Sequence, residues 1–435
     1  MTDSTTLPTL QQIAAEARAG RLDAAALMVE QARLGGMADP MLAALGGAIE
    51  FHRGQFARAV PLLGEAHRSH PADLTVRANL AEALYRTGDA AAALALCDEA
   101  SVAADRSLRL AGIGAHLAQE GGDYARAAGL YRRLVAARPD DWSAWNNLGN
   151  SLSGLGDFDG AAQALERAAT LAPDSAPIQL NLGNALFDAG RMEDAERVLK
   201  AAAARFAQDH NPLLALATRY RMMGREDETF EALRQAAERA PDLAEVQSDY
   251  GQEAARRNEY GIAETAYETA LALQPDLGPS FVGLASVYER MNREEELDPL
   301  HGRALANKVD AQSLAYIEAL RFKRAGDIEA AFAALDQAGD VIVKGRKHHL
   351  RGTMLDRLGR YDEAFVEFEE MNAHWRGDPS QPVERARLYR EAVAQAADLL
   401  TPEWVAGWTP PIERAAYASP IFVLGFLSFI VWAHH

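Results

Sequence analysis

At 435 residues and 47.1 kDa the chain is too long for one compact core and must be divided among several domains or a repeat array. Its 49% hydrophobic and 24% charged residues suit a folded chain, and 44 Lys+Arg against 62 Asp+Glu, a net charge of −18, argue against a nucleic-acid or anionic-membrane surface. A single cysteine, Cys97, excludes a disulfide framework and any multi-cysteine metal site. The opening stretch MTDSTTLPTL has neither the basic start nor the apolar core of a signal peptide, so a cytoplasmic location is expected.

From the N-terminus onward one spacing dominates. Gly20, Gly54, Gly88, Gly122, Gly156, Gly190 and Gly224 lie 34 residues apart. Asn258 and Asn292 continue the series, and Gly326 and Gly359 close it. Both residue types tolerate positive φ, so each position predicts the corner between two helices, eleven corners in all. Small residues stand seven before the corner (Gly47, Ala81, Ala115, Gly149, Gly183) and five after it (Ala59, Ala93, Ala127, Ala161, Ala195), which lets paired helix backbones approach. Large apolar residues follow the corner at Phe56, Tyr124, Phe158, Tyr260 and Tyr361. Pro71, Pro139, Pro173, Pro241 and Pro275 end second helices, because proline cannot continue them. The repeats at 278–311 and 312–344 fit least well, and Pro299 inside an expected second helix should shorten or kink it.

These columns resemble the tetratricopeptide repeat (TPR), most closely in WNNLGNSLSGLGDFDGAAQALERAATLAPD from Trp145. The resemblance implies an all-α fold, a right-handed α-solenoid of about eleven helix pairs over residues 6–378. It further implies that first helices line a concave groove holding an extended peptide or protein. The sixth and ninth residues of each repeat should then face that groove. The sixth gives Asn79, Asn147, Asn181 and Asp249; the ninth gives Asn150, Asn184 and Gln252. An amide both donates to a peptide carbonyl and accepts from a peptide N–H, so such a row could hold a backbone without reading its sequence. These positions are mostly neutral, so a cationic clamp for an acidic C-terminal tail is not expected. His348 and His349, adjacent, point about 100° apart on a helix and make no metal site. No Gly-rich phosphate loop occurs, and no metal, cofactor or catalytic residue is assigned.

Beyond the array, residues 379–400 predict a capping helix introduced by Pro379 and Pro382, and 401–418 a linker bearing Trp404 and Trp408. Residues 419–435 are a short orphan apolar segment. Its run Ile421–Ala433 has 13 residues, where a span needs about 20, so no stable membrane span is expected. PIFVLGF, through Pro420, Phe422, Gly425 and Phe426, resembles the first strand of the sulfotransferase domain that follows a TPR array in a bacterial family. There the strand runs into the loop that binds the donor PAPS. Here LSFIVWAHH follows instead, as a frameshift or truncation after residue 426 would leave it. The resemblance implies the acceptor-presenting arm of a truncated PAPS-dependent protein sulfotransferase. This chain would have no catalytic domain, and PAPS would be a ligand only of the missing part. A stand-alone TPR assembly scaffold is the alternative.

Overall fold

The structure, a computed structural model, describes residues 7–379 and 381–399. The expected linker and apolar segment at 401–435 lie outside the described residues, within which all regular structure is helical. The chain divides into two compact bodies, Met1–Ala215 and Leu216–His435, and each is taken by itself.

The first body opens with α1 (Leu10–Arg18) and α2 (Leu22–Leu34), then α3 (Pro40–His52) and α4 (Phe56–Ser69). Next comes α5 (Leu74–Arg86), followed by two short helices, α6 (Ala90–Ala95) and α7 (Glu99–Ala104). Three regular pairs complete it: α8 (Arg109–Glu120) with α9 (Tyr124–Ala137), α10 (Trp142–Gly154) with α11 (Phe158–Leu171), and α12 (Ala176–Asp188) with α13 (Met192–Arg205). The fifth pair shows how the sequence builds each one. Asp141 caps α10 by accepting from the Ala144 N–H, Gly156 turns the corner at φ 78°, and Asp157 caps α11 by accepting from the Gly160 N–H. Gly149 lies so close to α11 that an added Cβ would stand 2.5 Å from Leu165 Cγ, and Gly183 meets Leu199 at the same distance. Leu165 and Leu199 are fully buried, so the small columns are the seats of the large ones.

The third pair departs from this plan. Its second helix is cut at Leu96–Asp98, because the Asp98 carboxylate accepts from Ser101 N–H and starts α7 afresh. The carbonyls freed by the cut are taken up by neighbours: Arg77 Nε donates to Leu96 O and Arg126 Nη2 to Cys97 O, both at 2.7 Å. Cys97 is buried beside the break, and burial pushes its thiol up to about 11.

In the second body α14 (Asn211–Met222), which begins in the first, is followed by α15 (Glu226–Arg239), α16 (Ala244–Arg256) and α17 (Tyr260–Leu273). Then come α18 (Gly278–Arg290), a 3-10 turn at Glu294–Glu296 and α19 (Leu297–Ala306). The last pairs are α20 (Ala311–Ala325) with α21 (Ile328–Gln337) and α22 (Lys344–Arg357) with α23 (Tyr361–Arg376); α24 (Pro382–Leu399) follows. Asn258 and Asn292 turn their corners at φ 63° and 55°, as the glycines do elsewhere. Pro299 is the third residue of α19, where its missing N–H costs nothing, and that helix is shortened to 10 residues. α24 lies within the stretch 379–400, and none of its residues between 382 and 395 is buried.

Candidate functional site

Packing decides which face of the helix pairs is the inner one. Second helices pack between their own first helix and the next, as α9 does between α8 and α10 and α17 between α16 and α18. First helices also meet one another: α1, α3, α5 and α8 in succession, α10 with α12, and α16, α18 and α20. Successive second helices do not meet to that extent, so within each body the first helices are the inside of the curve.

In the first body this wall brings two of the predicted amides together through a third. Asn181 Nδ2 donates to Asn146 Oδ1 at 3.0 Å, and Asn146 Nδ2 donates to Asn147 Oδ1 at 3.1 Å. Asn147 also stands near Tyr131, whose phenol burial pushes up to about 12. Asn150 and Asn184 follow one turn later on α10 and α12 and are half-buried. Asn79 belongs to a separate cluster. It is buried, and its Oδ1 accepts from Arg109 Nη1 at 2.8 Å while Arg109 Nη2 pairs with Glu82 at 3.2 Å. The Arg109 guanidinium also lies 5.9 Å from the Phe51 ring centre, which locks α3, α5 and α8 together. Counting sixth and ninth residues therefore missed Asn146 and Arg109. Asn146 was visible as the neighbour of Asn147, 35 residues before Asn181; Arg109 gave no signal in the register.

In the second body Asp249 and Gln252 stand exposed on α16. Burial pushes the Asp249 carboxyl above its usual range, with Arg221 opposing and Glu245 adding to the effect. Glu253, one residue on, is 1% exposed and is held by Arg221, whose Nη2 is 3.2 Å away. Further along the wall, Glu289 of α18 receives Lys323 of α20 and Arg346 of α22. Burial pushes the Glu289 carboxyl up, but the Arg346 and Lys323 cations together outweigh it and hold it below the usual range.

His348 Nδ1 lies 2.7 Å from Glu367, which also receives Arg351 at 2.7 Å, so the histidine belongs to an ion-pair network. Among the described residues no group of three or more His, Cys, Asp or Glu could hold a metal ion, and no helix is long and apolar enough to cross a membrane.

Two family models, both described as tetratricopeptide repeat, match the chain, one over residues 50–117 and 152–220 and the other over 114–176. The chain thus carries tetratricopeptide repeats, and its described fold is that of an α-solenoid. No match was found among curated proteins. Similar solved structures include yeast Tom70, at 14% identity over 91% of this chain and 97% of that one, with a TM-score of 0.39. The C-terminal part of a TPR repeat-containing protein from Cytophaga hutchinsonii is 16% identical over 52% and 92%, with a TM-score of 0.43. MamA from Desulfovibrio magneticus is 20% identical over 39% and 97%, with a TM-score of 0.35. At these scores they add nothing beyond the helical repeat.

Proposed function

We propose that the chain is a non-catalytic interaction scaffold whose inner wall of first helices binds an extended peptide or protein segment. The amide chain Asn147–Asn146–Asn181 carries this reading, with Asn150 and Asn184 one turn on. Amides already fixed by one another present a backbone with partners at little further ordering cost. A photo-crosslinking residue at position 150 or 252 is expected to capture peptides from a display library. The same residue at the exposed outer position Arg132 is not. Equal capture at all three positions would sink the proposal.

A finer reading makes this wall the presenter of a polypeptide acceptor to a PAPS-dependent sulfotransferase. It rests on Pro420, Phe422, Gly425 and Phe426 alone. Sequencing the gene past codon 426 in all three frames tests it. A Pro-Arg-Ser-Gly-Thr loop in another frame supports it, and its absence from every frame leaves the stand-alone scaffold.

A further inference from the structure

This inference rests on the peptide-binding reading and adds what one part of the wall would recognise. Ion pairs between neighbouring repeats join residues about one repeat apart, as in Arg257–Asp227, Arg303–Glu268 and Lys323–Glu289. Arg346 breaks that rule and reaches Glu289, two first helices back. The second helices in between are short, with 10 residues each in α19 and α21 against 14 in α17. Across them the Arg346 side chain at the start of α22 meets Glu289 at the end of α18.

The result is a cluster with excess positive charge. Lys323 Nζ lies 2.5 Å from Glu289 Oε1, and Arg346 pairs with the other carboxylate oxygen. Arg290, adjacent to Glu289 on α18, is exposed, and so is His349 on α22, close enough to feel Arg346, Glu289, Lys323 and Arg290. Arg346 also stands near Tyr316, whose hydroxyl lies 2.9 Å from Ser286 Oγ. One carboxylate thus holds two cations, with a third, Arg290, exposed beside it in the sequence, in a chain whose net charge is −18. Glu289 holds Lys323 and Arg346 in place, 16% and 18% exposed, yet neutralises only one of the three charges. The buried Nε of Arg346 has no hydrogen-bond partner. Cations held in position and left in excess form a preorganised receptor for an oxyanion.

We propose that Arg290, Lys323 and Arg346 anchor an oxyanion carried by the bound peptide, with Glu289 as the internal spacer that keeps them apart. Carboxylate and phosphomonoester share this chemistry, and the test separates them. Fluorescence polarisation with the full chain would compare one labelled peptide carrying Glu, phosphoserine, Gln or Lys at its centre. The Glu or phosphoserine form is expected to bind about tenfold tighter than the Gln form. Whichever of the two binds more tightly identifies the source of the oxyanion. Arg290→Gln, at an exposed site, is expected to weaken the acidic peptide about fivefold and to leave the Gln peptide unchanged. Equal binding of Glu, phosphoserine and Gln peptides would overturn the anchor, as would an acid preference that survives Arg290→Gln. If a neutral peptide still crosslinks to the inner wall in that case, the anchor alone fails. If no peptide binds the wall at all, the scaffold reading fails with it.

Discussion

Gly183 carries no side chain because Leu199 occupies the space a Cβ would need, 2.5 Å away. Gly129, inside α9, has nothing within 4 Å of that position. The two glycines should therefore respond oppositely to alanine. Gly183→Ala is expected to cost about 1–3 kcal/mol by overpacking, and Gly129→Ala to stabilise by about 0.5–1 kcal/mol through helix propensity, both read as urea midpoints. Cys97 gives a second prediction. Its folded-state value, about 11, lies above the unfolded one, so its contribution to stability is whole below pH 9 and is lost as pH rises toward 11. The native thiol should resist alkylation at pH 8 and react promptly once urea unfolds the chain. At this scale the sequence was legible where a contact recurs in every repeat. The glycine and alanine columns could be read from spacing alone. Asn146 and Arg109 could not, because each acts across a repeat boundary at an offset outside the counted positions. The same holds for the meeting of Arg346 with Glu289.

Within single elements, capping sets the boundaries. Asp73, Asp89, Asp123, Asp141 and Asp157 each accept from backbone N–H groups at the start of a helix. Asp157→Ala is expected to cost about 1 kcal/mol, measured as a fall in the thermal midpoint, whereas Asp157→Asn should cost much less. The corners, the pairing and the shortening at Pro299 followed from turn chemistry and proline sterics. The cut between α6 and α7 did not, although Asp98 followed by Ser101 is a capping signal in itself. An uninterrupted helix and a capped restart compete closely there. Arg77 and Arg126, from α5 and α9, favour the restart by taking up the carbonyls it exposes.

Across the molecule, burial is uneven. Only Ala364 is buried in α23, where Tyr361 and Phe365 are 67% and 64% exposed, whereas α18 buries Phe281, Leu284, Val287 and Tyr288. Hydrogen exchange should accordingly be fast through 361–395 and slow through 278–290; uniform protection over both segments would contradict this ordering. The stacking rule inside the first body carries a consequence for how such a gene can change. Because α9 packs on α10 as α11 packs on α12, excising residues 142–175 would splice α9 to α12 with every corner still in phase. An excision of 30 residues would put Gly190 out of step with the corners before it. Such chains grow or shrink most readily by whole repeats, and an excision that leaves the corners out of phase breaks their grammar.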